Sequence, residues 1–133
     1  MKVLFDTNVV LDILLKRPGF SDAAFALART KEPWLSTLSL ANIAYIIGRS
    51  RSDRIQGPID FLRMKFQLCP LTCGTVSRAL ELNFADFEDG LQTASAESAG
   101  IPFLVTRNFE DFAATDSVTI LSLAQLTARL EPS

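Results

Sequence analysis

Val3, Leu4 and Phe5 form an apolar run that stops at Asp6, and after Thr7 and Asn8 a second apolar run begins at Val9. The first run predicts a buried strand over residues 2–5 with a carboxylate at its C-terminal tip. The second predicts a short helix over 9–15, closed by Arg17-Pro18-Gly19. Ser21 or Asp22 is placed to cap an Ala-rich helix over 23–29, and Pro33 is placed to stop it. Residues 34–37 read as a second strand ending in hydroxyls. Leu40, Ile43, Ala44 and Ile47 then share one helical face, with Ser39 as N-cap and Asn42 at the third helical position. Arg49, Arg51 and Arg54 mark a polar break before helical spacing resumes at Ile55, Ile59, Leu62 and Phe66. A strand over 68–72 and a short helix over 76–82 follow. Asp86 is placed to cap a helix over 87–99, with Asp89 at its third position and Gly100 and Pro102 closing it. Phe103, Leu104 and Val105 form a further strand ending in Thr106-Arg107-Asn108. A short turn over 109–112, a strand over 118–121 and a helix over 123–130 capped by Ser122 complete the chain.

The strands are apolar without alternation, the signature of burial on both faces. Strands alternating with helices predict an α/β fold, a three-layer α/β/α sandwich with a central mostly parallel sheet. The length of 133 residues fits a single domain spanning 1–133, and an apolar share of 48% suffices for a core. No apolar stretch reaches bilayer-spanning length, and Asp6 and Asp12 interrupt any leader-like run, so the expected location is cytoplasmic.

Composition narrows the chemistry. A net charge of −2 argues against nucleic-acid binding by bulk positive charge. The chain has no histidine, which removes Ser-His-Asp and Cys-His hydrolases, histidine-based ribonucleases and His-ligated zinc. Cys69 and Cys73 lack further metal-ligating partners and read as two small buried apolar residues.

In open parallel sheets, sites form outside the carboxyl ends of the strands. Polar residues concentrate at those ends: Asp6, Thr7 and Asn8; Ser36, Thr37 and then Asn42; Thr106, Asn108 and then Asp111. Asp86 and Asp89 join them if the start of their helix points to the same rim. Converging carboxylates repel one another, and a hard divalent cation resolves that repulsion. Oxygen-only donors suit Mg2+ or Mn2+, and such an ion implies phosphodiester hydrolysis. Single residues also have plainer readings. Asp86 reads equally as a helix cap, Asp89 as a partner of the helix dipole, Asn42 as part of a capping pattern and Asp111 as a turn cap. Asp12 reads as a surface or structural acid. Asp6 has no capping pattern to explain it as well.

Four segments in order, Val3 to Asp12, Ser39 to Ile47, Asp86 to Gln92 and Leu104 to Phe112, make the chain resemble the PIN-domain family of metal-dependent nucleases. The resemblance is closest to small stand-alone prokaryotic members, the VapC-like toxin ribonucleases, and to a subgroup with asparagine at the usual second acidic position. It implies an acidic pocket binding magnesium or manganese and cutting RNA. Asp6 matches the first metal-binding acid and Asp89 the third. Thr7 and Asn8 match the small polar pair after the first acid, and Thr106 matches the pocket-ordering hydroxyl. Asn42 stands where a glutamate is usual, and Asn108 where an aspartate is common. Asp111 and Asp86 are the acids placed to compensate.

The expected function is a metal-dependent endoribonuclease, the toxin of a type II toxin–antitoxin pair. Asp6 and Asp89 hold the metal, Asp86 or Asp111 assists, and Asn42 and Asn108 orient water or substrate. Arg49, Arg51, Arg54 and Arg107 are the candidates for the RNA backbone, and the first three read equally as a solvated helix end. The resemblance implies a cognate antitoxin and a homodimer. The alternative is a weak or inactive PIN-fold module that binds RNA or protein. On the simplest view of Asn42, a glutamate there strengthens the site. Receiver-like and aspartyl-phosphatase-like folds fit poorly: no lysine follows Lys65, and Asn8 stands where a phosphatase places its second aspartate.

Overall fold

The computed structural model describes residues 1–51, 55–112 and 115–130, without the side chains of 50, 51 and 111. Arg54 lies outside the described residues, and so do the side chains of Arg51 and Asp111. Five strands form one sheet: β1 (Lys2–Phe5), β2 (Glu32–Ser36), β3 (Gln67–Cys69), β4 (Phe103–Val105) and β5 (Thr119–Leu121). Their spatial order is β3-β2-β1-β4-β5, and every pairing is parallel.

This order explains where the helices lie. From β1 to β2 to β3 the chain steps one way across the sheet. The right-handed crossover rule therefore puts the connecting helices on one face. These are α1 (Thr7–Leu14), α2 (Phe20–Arg29), α3 (Thr37–Arg51) and α4 (Gln56–Lys65). From β3 the chain reverses over β2 and β1 to reach β4, and the same handedness sends α5 (Cys73–Leu82) and α6 (Phe87–Ser98) to the opposite face. The final helix, α7 (Leu123–Leu130), returns to the first face beside α2.

The core divides accordingly. Val3, Phe5, Leu35 and Val105 pack with Val9, Leu27, Ile43, Leu62 and Leu126 on the first face. Leu4 and Leu104 pack with Ala96, Ile101 and Phe112 on the other. Alternate residues of β1 thus feed opposite cores, as the pleat requires. Among the described residues, no helix is long and apolar enough to cross a membrane.

Several boundaries differ from the sequence reading. The first helix begins at Thr7, and its N-cap is Asp6, whose side chain accepts from the Thr7 backbone N–H. The second begins at Phe20 behind Gly19, whose backbone (φ +89°) takes the left-handed turn that glycine permits, so neither Ser21 nor Asp22 is its cap. Pro33 sits inside β2 rather than before it. It pairs with Val3 at a level where β3, whose pairing starts at Trp34, leaves one side of β2 free. The third helix starts at Thr37, because Ser36 Oγ accepts from the Ser39 N–H 3.0 Å away. Ser39 is therefore inside the helix, and Asn42 lies in its second turn rather than at the third position. The third strand ends at Cys69, and Thr72 instead caps α5 through a reciprocal pair with Thr75. Cys69 is buried, with its thiol pushed up to about 11 by burial, but Cys73 is exposed at the start of α5. Asp86 and Ser122 cap the helices expected of them.

Candidate functional site

The sheet order reverses at β1, which lies between β2 and β4, and the candidate site grows at that switch point. Asp6 is at its centre. The β1 backbone continues into the ladder through Asp6 N–H, which donates to Val105 O at 3.0 Å. The carboxylate is then fixed on both oxygens: Oδ1 accepts from Thr7 N at 2.9 Å and Oδ2 from Thr106 Oγ1 at 2.8 Å. Thr106 is itself oriented by the Asn108 N–H, which donates to its Oγ1 at 3.2 Å. Only 6% of Asp6 is exposed, and burial raises its pKa despite these hydrogen bonds. The charge of Asp86 raises it further, while Arg107 acts in the opposite direction.

Beneath Asp6, three hydroxyls and one amide tie the surrounding elements together. Gln92 of α6 is fully buried. Its Nε2 donates to Ser39 Oγ at 2.7 Å and to Thr7 Oγ1 at 3.3 Å, and its Oε1 accepts from Ser36 Oγ at 3.0 Å. Thr7 and Ser39 hydroxyls are 2.7 Å apart. One side chain from the far face thus joins α1, the end of β2 and the start of α3. Gln92 had no role in the sequence reading; the signal for it is the run Gln92, Thr93 and Ser95 in a helix that is buried on nearly every side.

The wall of the cleft comes from two helices that reach the rim from opposite faces of the sheet. Asn42 of α3 and Glu88 of α6 meet there, Asn42 Nδ2 donating to Glu88 Oε1 at 3.1 Å. Together with Thr7, Asn8, Leu11, Tyr45 and Ile46 they line an open cleft of about 330 Å3. Partial burial raises the pKa of Glu88, the charges of Asp6 and Asp86 add to the rise, and the Asn42 hydrogen bond opposes it. Glu88 is the second residue that the sequence reading passed over, hidden between Asp86 and Asp89.

The other candidates are placed as follows. Asp86 caps α6, its Oδ1 accepting from Glu88 N and Asp89 N, and its charge still reaches Asp6 and Glu88. Asp89 lines a neighbouring open depression with Ala85, Asp86 and Phe87 rather than the cleft that holds Asn42 and Glu88. Asn108 precedes the 3-10 turn Phe109–Asp111, and its side chain makes no cap there. Arg49 is exposed and stacks over the Tyr45 ring, 5.8 Å from its centroid.

Arg107, a candidate for the RNA backbone, is paired with a buried acid. Its Nη1 lies 2.8 and 3.1 Å from the two oxygens of Asp12, a residue only 4% exposed, with Arg17 more distant at 3.8 Å. Asp12 is thus the structural acid the sequence suggested, buried rather than at the surface. Arg107→Ala leaves that buried carboxylate to the more distant Arg17 and is expected to lower unfolding free energy by roughly 1–3 kcal/mol in chemical denaturation. Loss of RNA binding at unchanged stability would instead assign this guanidinium to substrate.

Among the described residues, no three or more cysteine, aspartate or glutamate side chains stand close enough to enclose an ion by themselves. That is compatible with magnesium, which keeps several waters and is commonly held by one or two carboxylates. The groups that can ligate at the cleft do so through oxygen, from Glu88 and the amides of Asn8 and Asn42, and the charge of Asp6, the residue before Thr7, reaches Glu88; their chemistry suits a hard cation.

Comparison with known proteins follows the same lines. The profile of the PIN domain matches residues 2–110. No curated protein sequence matches significantly. Among solved structures, a toxin–antitoxin complex from Klebsiella pneumoniae superposes with a TM-score of 0.70 at 21% identity, covering 88% of this chain and 95% of the other. DNA-bound VapBC from Salmonella typhimurium gives 0.71 at 16%, covering 92% and 98%. FitAcB from Neisseria gonorrhoeae gives 0.67 at 17%, again covering 92% and 98%. At such identities these structures establish the shared fold, and the match along residues 2–110 establishes the lineage: the chain belongs to the PIN domain family.

Proposed function

We propose that this protein is a metal-dependent endoribonuclease that hydrolyses RNA phosphodiester bonds, and that it serves as the toxin of a type II toxin–antitoxin pair. The observation that carries the reading is Asp6: a buried carboxylate at the switch point, fixed on both oxygens and within reach of the charges of Glu88 and Asp86.

Asp6 and Asp89 are the residues that would hold Mg2+ or Mn2+, with Asp86 or Asp111 assisting. Such an ion, when bound, supplies Lewis-acid stabilisation of phosphate oxygens and acidifies water. The protein's own part is orientation. Thr106 and the Thr7 N–H occupy one lone pair on each Asp6 oxygen and leave the others for a ligand. The Gln92 network keeps Thr7 and the start of α3 in register beneath it. Asn8, Asn42 and Asn108 offer amides to water or to the sugar-phosphate. Arg49, exposed over the Tyr45 ring, offers positive charge to the RNA backbone, and Arg51 and Arg54 are the further candidates. The superposed structure from Klebsiella pneumoniae is by its own description a toxin–antitoxin complex, which supports an antitoxin as the natural partner here; a homodimer belongs to the same reading.

Incubating purified protein with single-stranded RNA and Mn2+ is expected to give discrete fragments that disappear with excess chelator. Uncut RNA across metals and substrates would favour the alternative, a PIN-fold binding module. Asn42 supports that alternative, because its amide N–H is spent on Glu88 and it brings no charge of its own.

A further inference from the structure

We infer that Glu88 supplies a carboxylate of this site from α6, and that Asn42 is its positioning residue. The inference rests on the metal-dependent reading above and names the donor that reading lacks. Position 42 is where an acid would be expected, and an amide stands there. The amide is not idle: its Nδ2 points at Glu88 Oε1, 3.1 Å away, and both side chains line the cleft with Thr7 and Asn8. A hydrogen bond to one carboxylate oxygen leaves the other free to face a cation. A glutamate at 42 would instead set two like charges at that contact. The negative charge of this wall therefore comes from the opposite helix, and asparagine is the residue type that holds it.

Two further observations agree. Glu88 feels the charges of both Asp6 and Asp86, so the three carboxylates share one field. The cation that acts on Asp6, Arg107, has its Nη1 committed to Asp12, leaving that field open to a mobile ion. Glu88 is also an exposed residue in the first turn of α6, a helix already capped by Asp86, so capping does not call for its charge.

The test is Mn2+ binding, by calorimetry and by the electron paramagnetic resonance of the free ion, with RNA cleavage alongside. Glu88→Gln is expected to weaken Mn2+ binding roughly tenfold or more while the thermal midpoint stays unchanged. Asn42→Glu alone is expected to bring no gain, since the acid is already present. The double variant Asn42→Glu, Glu88→Gln moves the carboxylate across the cleft and is expected to recover most of the lost affinity. Wild-type affinity in Glu88→Gln, with none in Asp6→Asn, would overturn the assignment of Glu88 and leave the metal-dependent reading standing. A large gain from Asn42→Glu alone, or failure of the double variant to recover, would also overturn it. Absence of Mn2+ binding by the wild type at millimolar concentration would remove both.

Discussion

Asp6→Asn is expected to reduce RNA cleavage by at least roughly two orders of magnitude, the scale on which removing a preorganised electrostatic group acts, while leaving the fold intact or firmer. Asparagine caps a helix as well as aspartate does, so the bond from Thr7 N survives. The Thr106 hydroxyl, which now donates to Asp6, can turn and accept from the amide. What disappears is a buried charge. The folded-state pKa of Asp6 lies above its ordinary value of 3.8 because of burial. Its stabilising contribution is therefore complete below 3.8 and is lost as pH rises through the folded-state value. Above that folded-state value the wild type carries the desolvated anion and the variant does not. Without metal, the variant's thermal midpoint should equal or exceed that of the wild type, with the gap closing as pH falls. With Mn2+ the order should reverse, because a ligand that binds only the wild type stabilises only the wild type. A variant that loses activity together with several degrees of midpoint would show that Asp6 serves the fold first.

The largest stability effect is expected at Gln92. Gln92→Leu keeps the approximate volume but removes a donor and an acceptor from a fully buried position. The hydroxyls of Thr7, Ser36 and Ser39 lose their common partner, although Thr7 and Ser39 retain each other at 2.7 Å and Ser36 retains Ser39 Oγ at 3.2 Å. Each of the three hydrogen bonds lost contributes about 0.5–1.5 kcal/mol. The expected loss is roughly 2–4 kcal/mol, read in urea denaturation, or a fall of roughly 8–15 °C in midpoint. Gln92→Glu tests direction as well as size. It keeps the acceptor and puts a charge where none is solvated, so its deficit should shrink as pH is lowered. A Leu variant as stable as wild type would mean that water or repacking satisfies the hydroxyls.

The two sites differ in how openly they are written. Asp6 is legible because an apolar run of both-face burial ends on it, and the strand tip is where parallel sheets keep their chemistry. Thr7 and Thr106 are legible for the same reason, each being the residue that follows or ends a strand. Asp6 also caps α1, a second duty that the sequence reading denied it, because the helix was begun two residues late at Val9. Ser36 and Ser39 illustrate a local ambiguity: both are hydroxyls spaced for capping, and only the end of β2 decides that Ser36 does it. Glu88 and Gln92 were out of reach for a different reason. Their roles exist only because α6 crosses beneath β1 and meets α3 at the rim, a juxtaposition fixed by the reversal of strand order and by nothing within either helix. Local spacing placed Asp86, Glu88 and Asp89 in one turn but could not say which of them faces which neighbour.

The central place of β1 has a consequence for how the protein is made. Of the strands in this sheet, β1 is the first in chain order and lies in the middle, and one of its two edges waits for β4. The hydrogen bond that aims Asp6 spans 100 residues of sequence, from Thr106. Contacts of such long range form late and slow folding. On the ribosome, a growing chain that has β1, β2 and β3 still has an unpaired edge and an unaimed carboxylate. The site is assembled only once β4 has emerged and docked, so partial chains have the first acid without a working centre.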